Sequence, residues 1–343
     1  MKSEITIDTE SHVPSYKQII NYFEGAVIRG EVHDGEIIPS MNQLASRLSI
    51  SKETVKKAYG ILREKGFIEP KQGKGFYIVE RSAKRKLSVL ILLDKLSSYK
   101  QMTINGIISE LGSSADSLCC FFNQNIELFE YYINQDLGKH DYYIISPHFP
   151  LEDSVQQRAV KILKRIPNHK LILVDRDIPE LQGRYGAIYQ DFANDASIGL
   201  HEGLEKLKTI PKLNVITLQS SLYGHIIAQN VETFCTQNHI RVEFMHCAPE
   251  VIEKGSVFLL LNSQLDFGLI DLVRKAAAQK LKAGTDFGII SYNETAIDEV
   301  VLDGLTTIST SFEEMGREAA RMIIQKRMWK VHCPFTMTRR NTF

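Results

Sequence analysis

No stretch of this 343-residue chain approaches the ~20 consecutive apolar residues that a membrane-spanning helix needs, and its first residues hold no apolar export core. A cytoplasmic protein is expected, with no membrane partner. The five cysteines, Cys119, Cys120, Cys235, Cys247 and Cys333, are scattered and form no C-x-x-C pair. That excludes a disulfide framework and a zinc ribbon, and it fits a reducing compartment. Catalytic motifs are missing too. His201-Glu202 begins like a zinc-protease helix, but the fourth residue after His201 is Glu205, so the second ligand is absent. There is no G-x-S-x-G elbow and no Walker A loop. Cys119-Cys120 lies inside an apolar run and reads as core. Nothing here requires an enzyme, a metal or a cofactor.

What is present is an uneven distribution of charge. The formal net charge is zero, with 41 Lys+Arg against 41 Asp+Glu. Residues 40–86 nevertheless hold 12 basic and 4 acidic residues, whereas residues 87–343 hold 26 and 30. A basic segment beside a mildly acidic remainder fits a nucleic-acid-binding head on a separate body. The length suggests two or three domains, and 43% apolar residues suffice for real cores.

Residues 39–79 carry the densest local pattern. Ser40 is an N-cap with Gln43 three residues on, a capping box. Leu44 and Leu48 give an apolar edge before a break at Ser49-Ile50. Ser51 caps a second helix in which Val55, Ala58, Tyr59 and Leu62 fall at i, i+3, i+4 and i+7, and Gly66 closes it. Two short helices around a tight turn make a helix-turn-helix. Its second helix presents Glu53, Lys56, Lys57 and Gly60 outward, a mostly basic face suited to a major groove. Phe67-Ile68-Glu69, a turn containing Gly73-Lys74-Gly75, and residues 76–79 read as a hairpin, the wing. Upstream, Pro14 opens a helix with Tyr16, Ile19, Ile20, Phe23 and Val27 at helical spacing, and Gly30 ends it. Residues 1–13 are expected to form an arm or edge segment, and residues 81–86, RSAKRK, a basic linker able to add phosphate contacts.

The stretch from Pro14 to Val79 resembles the winged helix of the GntR family of bacterial transcription regulators. The shared marks are Pro14-x-Tyr16-x-Gln18-Ile19, Gly30, Gly35, Pro39-Ser40, Leu44-Ala45, Ser51-Lys52-x-Thr54-Val55, Ala58, Leu62, Gly66 and Gly73-Lys74-Gly75-Phe76. The resemblance implies double-stranded operator DNA as partner. It implies contacts from Ser40, Asn42, Ser51, Lys52, Glu53, Thr54, Lys56, Gln72 and Gly73. Asn42 and Lys52 stand where many members have arginine, and lysine lacks the planar fork that grips guanine bidentately.

From Leu87 onward, strand-length apolar runs alternate with helix-length segments, the pattern of parallel sheets covered by helices on both faces. Runs at 88–94, 117–122, 142–146, 171–175 and 187–189 make one set of strands. After a helix over 196–207, runs at 214–219, 241–245, 257–262, 287–291 and 305–309 make a second, and 334–338 returns to a lobe as a last strand. Two sets imply two doubly wound lobes. Asp94, Ser146, Asp175-Arg176 and Asp191 end strands of the first, and Gln219, Asn262 and Asn293-Glu294 those of the second. Open α/β sheets bind ligands at these carboxyl ends. Strands end at the surface and often in polar residues, but so many in register point to a cleft for a small polyhydroxylated ligand, with Tyr99 against its apolar face. Asp175-Arg176 is expected to be a local ion pair or ligand clamp rather than a catalytic pair.

This body resembles the effector domain of LacI-type repressors, itself similar to periplasmic sugar-binding proteins. The marks lie in residues 92–107, 166–180, 187–207 and, most tellingly, 288–324. By position, the resemblance implies effector contacts at Asp94, Tyr99, Asp175, Arg176, His225, Asn262, Asn293 and Arg317. His225 stands near a frequent sugar-binding arginine, Asn293 replaces a frequent aspartate, and Arg317 is longer than the usual residue. The expected α/β architecture is therefore a winged helix-turn-helix over 1–80, a linker over 81–86 and a two-lobed periplasmic-binding-protein-like domain over 87–343. The combination is similar to the arabinose-type repressors of Gram-positive bacteria. It implies a homodimeric regulator with recognition helices about 34 Å apart, one DNA turn. The effector would be a small sugar, L-arabinose or L-fucose being the first guesses. An enzyme with a GntR-type head and a cofactor-dependent body, or a sensor of a purine or amino acid, are the alternatives.

Overall fold

The computed structural model describes residues 5–9, 11, 13–28, 31–71, 75–79, 86–217, 221–261 and 267–343. In the head, α1 (Ser15–Ile28) and α2 (Met41–Leu48) both pack on α3 (Lys52–Glu64), and a three-stranded antiparallel sheet is formed by β1 (Ile37–Ile38), β2 (Ile68–Lys71) and β3 (Gly75–Ile78) in the order β1-β3-β2. The boundaries are set locally. Ser40 and Gln43 form the reciprocal capping box, Ser49 ends α2 in the left-handed region, and Ser51 caps α3 through the Thr54 N–H. Gly66, at φ +72°, follows the end of α3 in a backbone conformation that strains any side chain. Ile19, Phe23, Val55, Ala58 and Leu62 are fully buried where these elements meet. Ile5, from the amino-terminal arm, joins the same core. Gly30, expected to end α1, and the wing turn lie outside the described residues.

The first lobe is built from β4 (Leu87–Leu93), α4 (Ser98–Leu111), β5 (Ala115–Phe121), α5 (Ile126–Asp136), β6 (Tyr142–Ile145), α6 (Asp153–Leu163), β7 (Leu171–Asp175) and β8 (Gly186–Tyr189). The second begins with α7 (Asp195–His201) and α8 (Leu204–Leu207). It continues through β9 (Leu213–Ile216), α9 (Gly224–Gln237), β10 (Val242–Met245), β11 (Val257–Leu260), α10 (Phe267–Ala278), β12 (Gly288–Tyr292) and β13 (Thr306–Ser309). The chain then returns to the first lobe with α11 (Phe312–Ile324) and β14 (Lys330–His332), and to the second with β15 (Thr336–Thr338). Two six-stranded sheets result, β14-β8-β7-β6-β4-β5 and β10-β9-β11-β12-β13-β15, parallel except for β15 against β13. Central strands such as β6 and β7 are buried along their whole length, as a sheet covered on both faces requires.

The returning helix α11 fixes the floor of the first lobe. It crosses α4 with glycine on both sides: a Cβ on Gly106 would sit 2.1 Å from the Glu313 carbonyl oxygen, and one on Gly316 2.1 Å from that of Thr103. Only glycine allows the backbones to come this close. The chain passes between lobes three times, after β8, β13 and β14, so the lobes are joined by a three-strand hinge.

Candidate functional sites

At the head, the residues expected to meet DNA share one exposed edge. Ser40 and Asn42 open α2, while Ser51, Lys52, Glu53, Thr54 and Lys56 occupy the first turns of α3. Ser51 Oγ and Thr54 Oγ1 are 2.8 Å apart, and the Lys56 ammonium lies 3.5 Å from Glu53 across an exposed turn. That pairing is weak, because both partners are solvated. Tyr59 Oη donates to the Pro39 carbonyl (2.6 Å), fastening the start of α2 to α3. Lys57 turns back over the Tyr16 ring, 4.0 Å from its centre, and so leaves the reading face. Arg47, exposed on α2 beside Asn42, is a cation on this edge that motif reading missed. Gln72 and Gly73 lie outside the described residues.

In the body, the carboxyl ends of β4, β6, β7 and β8 converge on a buried charged cluster. Lys100, in the first turn of α4, places its ammonium 2.5 Å from Asp175 and 3.0 Å from Asp94. Ser146 Oγ lies 2.5 Å from that ammonium and donates to Asp94 (3.0 Å). His148 Nε2 meets Asp175 Oδ2 at 2.9 Å, and Gln190 Nε2 donates to Asp175 Oδ1 at 2.5 Å. Burial pushes the Asp175 and Asp94 carboxyls up, but the Lys100 ammonium and His148 override it and hold both below the usual carboxylate range. Burial pulls Lys100 down, and the two carboxylates more than restore it. The two carboxylates and the Lys100 ammonium are thus ionised, one cation serving two anions.

The second lobe closes over this cluster. Tyr223, at the start of α9, brings its hydroxyl to 2.9 Å from His148 Nδ1, and its ring stacks on Phe192 at 4.2 Å and 4°. The Arg176 guanidinium lies 5.7 Å from the Tyr223 ring centre and donates to the Pro147 carbonyl and to Gln156. Tyr292, the last residue of β12, is 2% exposed; burial, with Asp195, Asp175 and Asp191 nearby, drives its hydroxyl well above the usual tyrosine range. Among the described residues, Gln190 Oε1, Tyr292 Oη and Asn293 Oδ1 are buried without a hydrogen-bond partner. Each such group costs about 1–3 kcal/mol until something satisfies it. Asp175 (φ +73°) and Asn293 (φ +70°) both take the left-handed conformation where a strand of each lobe ends.

The other effector candidates are placed differently. Tyr99 packs on Phe312, ring centres 4.9 Å apart, beneath the cluster. His225 lines a groove of about 330 Å³ with Thr217, Phe244 and His246 at the β10 edge, and Tyr223, two residues earlier, is what reaches the cluster. Arg317 pairs with Glu313 (2.6 Å) and Glu110 (3.7 Å) across α11 and α4. Asp191 caps the turn into α7, and Glu294 is tied to Thr307, Thr338 and Arg340. Asn262 and Gln219 lie outside the described residues. Among the described residues, no helix is long and apolar enough to cross a membrane, and no group of three or more His, Cys, Asp or Glu is placed to hold a metal ion.

Comparison with known proteins follows this two-part division. Residues 15–78 match the family model described as bacterial regulatory proteins, gntR family. The HTH-type transcriptional repressor YtrA of Bacillus subtilis is 37% identical over 78 residues, 23% of this chain and 60% of that protein. The chain thus spans less than two thirds of that relative. The arabinose metabolism transcriptional repressor of Geobacillus stearothermophilus is 22% identical over 345 aligned positions, 92% of each chain. Among solved structures, a dimeric Lac repressor with an 11-residue carboxyl-terminal deletion superposes with a TM-score of 0.58 at 16% identity, covering 75% of this chain and 98% of its own. Residues 15–78 are a gntR-family head, and the chain carries it on a body with the LacI-type, periplasmic-binding-protein-like fold.

Proposed function

We propose that this gntR-headed chain is a transcription regulator of carbohydrate use whose operator affinity is switched by a small neutral sugar held between the two lobes. The observation that carries the reading is the set of partnerless polar atoms, Gln190 Oε1 from the first lobe with Tyr292 Oη and Asn293 Oδ1 from the second. Sugar hydroxyls donate and accept, so they suit two amide oxygens and a phenol. The charged groups around them already have partners: the Lys100 ammonium sits between Asp94 and Asp175, and His148 Nε2 meets Asp175. A neutral ligand leaves those contacts intact, whereas the carboxylate of an amino acid or the phosphate of a nucleotide would add an anion beside two buried carboxylates. The name of the Geobacillus stearothermophilus relative makes arabinose, in its L form, the first sugar to test, and L-fucose, another small neutral sugar, is the second.

Asp94, Asp175, Arg176, Asn293 and the apolar support of Tyr99 form the effector site in this reading, joined by Lys100, His148, Gln190, Tyr223 and Tyr292. The working units are residues 1–80, 81–86 and 87–343, acting in the cytoplasm as a homodimer; the dimeric state of the Lac repressor relative supports the last point. Ser40, Asn42, Ser51, Lys52, Glu53, Thr54, Lys56, Gln72 and Gly73 contact the operator. Sugar binding favours one arrangement of the lobes and thereby releases the heads. A thermal-unfolding screen against neutral pentoses and hexoses tests the site. One sugar raises the midpoint by mass action and fails to do so for Asn293→Ala. A panel without any shift refutes the reading.

A further inference from the structure

The seam between head and body holds an unassigned cavity of about 230 Å³, lined by both parts. Its walls carry Lys17 and Lys65 from the head and Lys139, Arg165 and Lys170 from the first lobe, with Ile20, Ile61 and Pro167 as apolar surface. Few carboxylates answer these five cations. Glu24 of α1 is 1% exposed and is shared by two lysines, Lys65 at 2.8 Å and Lys170. Asp136 lies 3.7 Å from Lys139 and also faces His140. Glu130 is 3.8 Å from Arg165 but makes its closer contact, 2.7 Å, with Arg158. Lys17 donates to a carbonyl, that of Leu137 (3.1 Å), and has no carboxylate partner within ion-pair distance among the described residues. Burial, with Lys65 nearby, outweighs Glu24 and Asp141 at Lys170 and holds its ammonium below the usual lysine range.

We propose that this seam is a second ligand site, distinct from the cleft, that takes a small multivalent anion carrying phosphate or carboxylate groups and thereby ties the head to the body. The volume has room for about eight waters at ~30 Å³ each, so an anion the size of pyrophosphate or citrate fits. Cations from both sides of the seam repel one another when it is empty, and an anion between them turns repulsion into a bridge. Pockets at domain boundaries with an apolar wall and convergent polar groups are common small-molecule sites.

The test is isothermal titration calorimetry of the full-length protein with pyrophosphate and, separately, citrate, against chloride at matched ionic strength to remove general screening. The expected result is saturable binding of one anion per chain, weakened at least tenfold in the double variant Lys17→Ala/Lys139→Ala. Neither side chain is buried in a core, and an unchanged unfolding midpoint confirms that the variant folds. Comparing the two probes identifies phosphate or carboxylate as the preferred chemistry. Binding persists in Asp175→Asn and in the presence of operator DNA. Overturning results are heat no different from chloride, equal affinity in the double variant, loss of binding in Asp175→Asn, which would move the anion to the cleft, or competition by DNA, which would make the backbone phosphate the true occupant.

Discussion

The two lobes share a parallel-sheet plan but divide the chemistry between them. The first supplies an ionised cluster in which the Lys100 ammonium serves both Asp94 and Asp175, with His148 hydrogen-bonded to Asp175. The second adds no charge to that network. It supplies Tyr223, which bonds His148 across the gap, and the partnerless Tyr292 and Asn293. The difference assigns separate roles. In the proposed reading the first lobe is a half-site whose energetics belong to folding, and the second is a cover whose partnerless polar atoms a bound sugar would satisfy.

That division can be broken most severely at Lys100. Lys100→Met leaves two carboxylates facing each other in a buried site, and losing one member of a buried ion pair costs about 3–5 kcal/mol. Urea unfolding should show a loss of that order, and a change below about 1 kcal/mol would mean that the cluster is solvated rather than structural. Asn293→Ala probes the cover instead. It should weaken sugar binding about 10–100-fold, corresponding to one hydrogen-bonded polar partner of about 1–3 kcal/mol, while unliganded operator binding stays in place. Wild-type sugar affinity in calorimetry would remove Asn293 from the site.

Acid should cost the first lobe more stability than the second, whose buried Asp195 and Asp298 are held above the usual carboxylate range by burial. The Asp175 and Asp94 carboxyls are held below their ordinary range in the folded chain. The unfolded chain therefore binds more protons, and stability falls as pH falls below about 5. Unfolding midpoints measured from pH 7 downward should decline more steeply for the wild type than for Asp175→Asn. Equal slopes would contradict the ionised cluster. The smallest effect is expected at the head, where contacts are single and solvated. Lys52→Ala should weaken operator binding a few-fold, reduce its salt slope by about one unit and leave sugar affinity untouched.

Most of the fold was legible because its signals are local. Ser40 with Gln43, Ser51 and Gly66 mark helix ends within four residues of themselves, and runs such as residues 142–145 have no solvated alternative. What failed was set by distant chain. The helix expected over 196–207 breaks into α7 and α8 at Gly203, where a Cβ would lie 2.9 Å from the Met337 side chain. β14 is short and largely exposed, and only its return to β8 makes it a strand. At the site, the strand-end rule pointed to Asp94, Ser146, Asp175 and Asn293. It passed over Lys100, because a lysine on a helix normally reaches water, and this one is buried only because two strand ends from elsewhere surround it. His148 and Gln190 sit one or two residues from positions that were singled out, and Tyr223 two residues from His225. These offsets are loop geometry, which residue spacing does not encode.

The central claim is that a sugar held in this cleft changes how the head holds DNA. Fluorescence anisotropy of labelled operator, titrated with the protein with and without each neutral pentose and deoxyhexose, measures it directly. The account predicts that one sugar changes the operator Kd about tenfold, within the usual coupling of ~1–3 kcal/mol, and that Asp175→Asn abolishes the change. A sugar that binds and leaves the Kd unaltered, or a shift that survives in Asp175→Asn, would contradict it.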